Sequence, residues 1–226
     1  MLCVIQARYS SKRLFGKVLR KISGTTVLER VINQVKKSRK ISKIIIATSK
    51  HKTDKKIINF CNKNKINFIS GPLNNVFKRF YSIIIREKCK SFVRISADSP
   101  LLDYSLIDKA VTIFNNHRYD IVTNVFPRTF PKGFSVEVIK SKIILDFLRK
   151  IKKKKHQEHL TSFFYDNYKK FKIKNFYNKI NCSNINLSID NLSDLKRVKN
   201  IIKFYQNQNY RLNYTLLIYK RLFNEK

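Results

Sequence analysis

Arg8, Lys12, Arg13 and Lys17 crowd the stretch QARYSSKRLFGK at residues 6–17, and two carboxylates far downstream, Asp98 and Asp190, close apolar runs. A guanidinium grips phosphate or carboxylate oxygens through parallel N–H bonds, and an ammonium acts as a mobile point charge. Such a loop therefore suits a polyanion such as a nucleoside triphosphate. Paired carboxylates beside a phosphate site are the minimal protein contribution to a magnesium site, because the hard ion completes its shell with phosphate oxygens and water. Each feature also has a plainer reading: a basic loop lying in solvent, and aspartates that cap the helices after them.

Position strengthens the chemical reading. Leu2-Cys3-Val4-Ile5 predicts a buried first strand that delivers the basic loop at its carboxyl end, where open α/β sheets bind ligands. Asp98 and Asp190 close two further expected strands and can share that crevice. The elements alternate in the manner of parallel βαβ units. Thr26-x-x-Glu29 is a capping box opening a helix with Val27, Leu28, Val31, Ile32 and Val35 on one face. Residues 43–49 read as a buried strand, about 54–64 as a helix, and 67–70 as a strand before the turn Gly71-Pro72. Asn75 caps the next helix, whose Val76, Phe77, Phe80, Tyr81 and Ile84 read as core. A strand at 92–95, a helix near 104–116 and a strand at 120–124 complete this part.

The second half is less regular. Pro127, Pro131 and Gly133 break the chain before an expected strand at 134–139 and a helix ending in Lys152 to Lys155. A helix over 157–168, opened by Glu158 and His159, a strand at 171–176 and a last apolar strand at 185–189 follow. Asn191-x-x-Asp194 then starts a helix with Leu195, Val198, Ile202 and Tyr205 inward. His51, His117 and His156 lack companions and are given no role.

The chain has 226 residues and 43% hydrophobic content, enough for one α/β domain with a core. Lys and Arg number 49 against 14 Asp and Glu, a formal charge of +35, which by itself suggests nucleic acid or an anionic surface. The cations are spread over nearly every expected helix and loop, where a nucleic-acid binder gathers them on one stripe, so no specific nucleic-acid partner is expected. Cys3, Cys61, Cys89 and Cys182 form no CxxC pair, which favours reduced thiols in a cytoplasmic protein. Met1 leads straight into the first strand without a signal peptide, and no apolar run approaches the roughly 20 residues that span a bilayer.

Residues 6–19, QARYSSKRLFGKVL, resemble the QARMGSTRLPGKVL signature of cytidylyltransferases of the spore-coat polysaccharide biosynthesis SpsF type, relatives of the Kdo and acylneuraminate cytidylyltransferases. Further matches follow in order: IATS at 46–49, RISADSPL at 94–101, RTFPKG at 128–133, VEV at 136–138, EHLT at 158–161 and IDNLSDL at 189–195. The resemblance implies a Rossmann-like nucleotide-diphospho-sugar transferase fold, glycosyltransferase-A-like, with three layers and a mainly parallel sheet. It implies a cytidylyltransferase that joins CTP and an acidic 3-deoxy-2-keto sugar into a CMP-sugar and pyrophosphate, for surface polysaccharide biosynthesis, with Mg2+ and as a homodimer. Residues 1–125 would then form a nucleotide-binding half, 126–190 an acceptor-sugar and oligomerisation part, and 191–226 C-terminal helices of a single domain.

Carried over by position, Ala7, Arg8, Ser11, Arg13, Lys17, Gly71 and Asp98 would bind nucleotide. Lys17, Arg13 and Asp98 would be catalytic, and Asp98 and Asp190 would hold the metal. Asn124, Glu137 and His159 would meet the acceptor. The sequence departs from the pattern at Ser10, where the family has glycine, at Phe15 in place of proline, and at IDNLSDL in place of VDTPEDL. Those changes put in doubt a left-handed loop residue, a rigid turn before Gly16 and a proline helix start. The basic loop and the carboxylates also serve a nucleotidyltransferase with another base or acceptor, such as a phosphosugar or a phosphonate. A non-enzymatic nucleic-acid binder is the reading that charge alone suggests.

Overall fold

The computed structural model describes residues 1–11, 13–205 and 209–223; Lys12 lies outside the described residues. Strand β1, Leu2–Gln6, lies inside the sheet. It pairs in parallel with β4, Lys43–Ser49, on one edge and with β6, Ser91–Ser96, on the other. β5, Phe68–Gly71, adds in parallel to β4. On the far side of β6 lie β8, Glu137–Lys140, then β7, Ile121–Thr123, then β9, Ile173–Asn175, giving the order β5-β4-β1-β6-β8-β7-β9. β8 runs antiparallel to both neighbours, and every other pairing in this sheet is parallel, so the sheet is mixed but mainly parallel, as expected.

Alternate residues of the central strands enter different cores, as a sheet covered on both faces requires. Cys3 and Ile5 pack with α1, Val27–Lys36, α2, Lys55–Lys63, and α4, Tyr104–Asn115, through Val31, Ile57 and Ile107. Two C-terminal helices, α8, Leu192–Lys203, and α9, Leu212–Phe223, join that layer. Leu2 and Val4 face the opposite layer, where α3, Val76–Glu87, supplies Phe77 and Phe80 and α5, Ser141–Phe147, supplies Ile144. Each fully buried phenylalanine contributes about 1.5–3 kcal/mol by leaving water. The result is helix, sheet, helix in three layers.

Local signals hold closely. Thr26 and Glu29 form the reciprocal capping box of α1, Asn75 caps α3 by accepting from Lys78 N, and Asn191 with Asp194 forms a second capping box on α8. A short hairpin unforeseen from the pattern, β2 at Lys21–Ile22 and β3 at Thr25–Thr26, turns through Ser23 and Gly24, both at positive φ of 47° and 80°. That pair of left-handed residues matches the twist of a two-residue hairpin.

The second half departs from expectation in several places. The strand expected at 134–139 begins only at Glu137, because the Asn124 side chain takes the role of a partner strand: its Nδ2 donates to Phe134 O at 2.8 Å and its Oδ1 accepts from Val136 N at 2.9 Å. The helix expected to end at Lys152–Lys155 ends as α5 at Phe147, followed by a single 3-10 turn at Leu148–Lys150. Lys154 and Lys155 instead begin α6, Lys154–Glu158, so Glu158 and His159 end a helix rather than open one. The single helix over 157–168 is replaced by α6 and α7, Ser162–Asp166. Ser162 Oγ contacts His159 O at 2.8 Å and His156 Nδ1 at 3.0 Å, a side chain competing with the backbone ladder at the break. Residues 185–189 form no regular strand. They make one bridge, Asn186 to Lys132, and then turn their next donors to a different segment.

Candidate active site

The loop after β1 is pinned before it reaches the cations. Ala7 N donates to Ala47 O at 3.0 Å, and Tyr9 N donates to Asp54 Oδ1 at 2.7 Å. Asp54 is fully buried and its other oxygen accepts from Ser49 N at 3.1 Å, so one carboxylate ties the loop to the end of β4. Gly16 N returns to Tyr9 O at 2.9 Å and closes the loop. Gly16 has φ +70°, and a Cβ there would lie 2.7 Å from the Tyr9 ring, so both conformation and space demand glycine. Buried Leu14 and Val18 anchor the loop on the core, and Lys17 opens a 3-10 turn at Lys17–Leu19.

The departures from the signature have local compensations. Ser10 is not left-handed, so the loop forms without glycine there. Phe15 sits edge-on to Tyr9 with ring centroids 5.0 Å apart, and Lys56 Nζ lies 5.0 Å from the Tyr9 ring centre. An aromatic contact thus braces the turn where proline would have stiffened it. The Asn191–Asp194 capping box starts α8 without proline.

Asp98 and Asp190 meet because their backbones meet. Ala97 N donates to Gln6 O at 3.0 Å at the end of β6, and Ile189 N donates to Asp98 O at 2.9 Å. Neither aspartate caps a helix: Asp103 caps α4 and Asn191 caps α8, which leaves both carboxylates free for the crevice. Lys17 Nζ lies between them, 2.7 Å from Asp98 Oδ2 and 2.9 Å from Asp190 Oδ1. Arg13 Nη2 adds a contact of 2.8 Å to Asp190, and Arg8 lies across the opening, 3.9 Å from Glu158.

These groups line one cavity of about 680 Å³, with Arg8, Ser11, Arg13, Lys17, Asp98 and Asp190 all on its wall. Ala7 is buried beneath it. Gly71 stands behind it: its carbonyl accepts from Lys50 N at 2.8 Å, and a Cβ would come within 2.7 Å of Arg79 Cγ. Fully buried Arg79 donates to the carbonyls of Pro72 at 2.8 Å and Leu73 at 2.9 Å, and so shapes the wall at Leu73 and Asn74. Burial pulls its guanidinium down to about 10, with Asp54 opposing that shift.

Asn124, Glu137 and His159 do not line this cavity. Asn124 is buried in its backbone-bridging role and His159 is exposed at the end of α6. Glu137 is 2% exposed, paired with Arg94 across the β6–β8 register and accepting from the Tyr165 hydroxyl. Burial pushes the Glu137 carboxyl up, but the Arg94 charge and these hydrogen bonds outweigh it and hold the group below the usual range. Burial and the nearby carboxylate push the Tyr165 hydroxyl well up.

Gln6, His51, Leu73, Asn74, Ser96 and Glu158 also line the cavity. Gln6 and Ser96 were not singled out: the expected strands stopped one residue short, at Ile5 and at Ile95, whereas β1 and β6 run on to Gln6 and Ser96 and bring both to the site. His51 and Asn74 carried no signal, since both lie in loops placed by distant contacts.

The chain fits known proteins over nearly its whole length. The family model described as Cytidylyltransferase matches residues 2–215. The uncharacterized protein MJ1063 of Methanocaldococcus jannaschii is 34% identical over 197 residues, 85% of this chain and 79% of that one. The spore coat polysaccharide biosynthesis protein SpsF of Bacillus subtilis is 29% identical over 168 residues, 71% and 68% of the two chains. In structure, a cytidylyltransferase from Leptospira borgpetersenii superposes with a TM-score of 0.93 at 24% identity, covering 98% of this chain and 94% of that one. A CMP:2-keto-3-deoxy-manno-octonic acid synthetase solved in complex with CTP does so at 0.67 and 12% identity, over 89% and 98%. Since the matched span takes in the basic loop, both aspartates and every strand of the sheet, this chain belongs to the cytidylyltransferase family.

Proposed function

We propose that the protein transfers CMP from CTP to an acidic 3-deoxy-2-keto sugar and releases pyrophosphate, serving surface polysaccharide biosynthesis. The observation that carries this reading is the meeting of Arg8, Arg13 and Lys17 with Asp98 and Asp190 on one cavity wall. The complex of a fold relative with CTP supports the nucleotide. In the reaction a bond forms between the acceptor hydroxyl oxygen and the α-phosphorus while the bridging P–O bond to pyrophosphate breaks, and the hydroxyl proton is lost. Negative charge grows on the departing pyrophosphate. Arg8, Arg13 and Lys17 are the fixed cations that hold the triphosphate and stabilise that charge.

The two carboxylates fit a divalent cation: both already converge on a single positive group, the Lys17 ammonium. Among the described residues no cluster of three His, Cys, Asp or Glu side chains is arranged for a metal, so a two-carboxylate set is the protein's share. That set suits Mg2+, held by Asp98 and Asp190 with phosphate oxygens and water. Bound there, the ion would neutralise phosphate charge and align the triphosphate. Ser11 and the backbone around Ala7 and Gly71 complete the nucleotide side in this reading. The part spanning 126–190 makes the acceptor side, with Asn124 and Glu137 shaping it from behind and His159 at its edge. The same part would form a homodimer contact, where Tyr177 and Ile180 stand 55% and 70% exposed. No helix among the described residues is long and apolar enough to cross a membrane.

The test is pyrophosphate release with Mg2+, each of the four nucleoside triphosphates in turn and a panel of 3-deoxy-2-keto sugar acids, with Asp98→Ala as control. Release with CTP and one acid, lost in the variant, is the expected result. Release with a different nucleotide, or with phosphosugars in place of the acids, would overturn the assignment.

A further inference from the structure

Gln6 is the cavity residue whose hydrogen bonding leaves a clear remainder. Its Oε1 accepts from both Arg94 Nε at 3.3 Å and Arg94 Nη2 at 3.1 Å. Those two donors settle the orientation of the amide, since a flipped side chain would set its NH2 against two guanidinium N–H groups. Arg94 is held in turn by Glu137, and Glu137 by the Tyr165 hydroxyl, which meets Thr123 Oγ1 at 3.1 Å. Gln6, Arg94, Glu137 and Thr123 come from four adjacent strands, so the chain of contacts crosses the sheet beneath the cavity. The Gln6 Nε2 group has no partner among the described residues, while the side chain is partly exposed on the cavity wall.

We propose that Gln6 is a specificity-determining residue that presents its amide N–H groups to an sp2 oxygen of a substrate, and that Arg94 and Glu137 are the positioning residues that aim it. The inference rests on the CTP-dependent reaction proposed above. The Arg94 charge is matched by Glu137, so Gln6 acts as a neutral donor, distinct from the cations of the basic loop that serve the phosphates. A neutral donor with its acceptor end locked suits a carbonyl or carboxylate oxygen and discriminates against a donor in the same place. Two substrate parts offer such an oxygen: the pyrimidine carbonyl of the nucleotide and the carboxylate of the acid acceptor.

The experiment compares wild type with Gln6→Met and Gln6→Glu, measuring CTP binding by calorimetry without acceptor, then KM and kcat for each substrate, with thermal midpoints to check folding. Gln6→Met removes the donors without adding charge. Gln6→Glu keeps the oxygen that satisfies Arg94 but not the donors, so a merely structural glutamine is rescued by it and a substrate-reading one is not. Loss of one neutral hydrogen bond should weaken the substrate concerned roughly three- to tenfold in both variants. Weakened CTP binding in the Met variant assigns the base carbonyl; unchanged CTP binding with a raised KM for the acid assigns the carboxylate. A double variant, Arg94→Met with Glu137→Gln, removes the charge pair together and frees Gln6 to rotate, so the same constant should move. If a folded Gln6→Met keeps both constants at the wild-type value, or Gln6→Glu restores them, the inference is wrong. If wild type neither binds CTP nor releases pyrophosphate, the reaction assignment itself fails, a result distinguishable from the first.

Discussion

Replacing Lys17 by methionine tests what its ammonium contributes between Asp98 and Asp190. The ammonium lies 2.7 Å from Asp98 and 2.9 Å from Asp190, and the residue is 8% exposed. Removing one partner of a buried ion pair costs about 3–5 kcal/mol, because the remaining charge is left uncompensated. Here the Asp98 and Asp190 side chains keep 20% and 21% of their surface in solvent, and Arg13 still contacts Asp190 at 2.8 Å. Solvent screening and that remaining contact reduce the expected loss to about 1–3 kcal/mol. Relief of general repulsion in a chain of formal charge +35 acts in the opposite direction. As a surface effect it is within about 0.5 kcal/mol and does not reverse the sign. The assay is urea unfolding and thermal melting in chelator, where each kcal/mol lowers the midpoint by about 2–4 °C. Adding Mg2+ should then raise the midpoint of Lys17→Met more than that of wild type, since the ion no longer competes with the ammonium for the two carboxylates. A variant as stable as wild type in chelator would refute the ion-pair argument. A Mg2+ response no larger than wild type's would refute a shared divalent site at Asp98 and Asp190.

Asp98→Ala should lower pyrophosphate release by more than 100-fold, on the order expected for a lost transition-state contact, while far-ultraviolet circular dichroism stays native. Gly133→Ala should destabilise the protein by about 2–4 kcal/mol in urea titration and depress activity: its φ is +102° and a Cβ would lie 2.7 Å from the Leu187 backbone, in the segment that carries Asp190. Glu137 is held below the usual carboxylate range, so its stabilisation is present above the unfolded value of about 4.3 and disappears as pH falls through the folded one. Glu137→Gln should therefore be less stable than wild type at pH 7, with the gap in urea midpoint narrowing as pH falls below about 4; a gap that stays constant down the pH scale would contradict it. Burial pushes the Cys61 thiol up to about 11 and raises Cys3 further, so Ellman's reagent on native protein at pH 8 should modify half-buried Cys89 ahead of either, as read by mass spectrometry.

What the sequence by itself determined is what depends on near neighbours. The capping boxes at Thr26–Glu29 and Asn191–Asp194 close between residues three apart, and the amphipathic faces of α1 and α3 follow from helical spacing. The cations at Arg8, Arg13 and Lys17 were legible because a single loop carries them, and Asp98 stood out as the residue just past an apolar strand. The tertiary structure alone decided how distant segments meet. Asp190 reaches Asp98 through a backbone bond from Ile189, although residues 185–189 are irregular and were expected as a strand. Glu137 reads from the pattern as a strand carboxylate available to the acceptor, yet the antiparallel insertion of β8 sets it opposite Arg94 and buries it. Gln6 gained its orientation from the parallel pairing of β1 with β6, which brings Arg94, 88 residues away in sequence, to its side-chain oxygen. Periodicity records which face of an element is apolar; it carries no record of which strand lies alongside, and that pairing sets the partners of every charged group on the sheet.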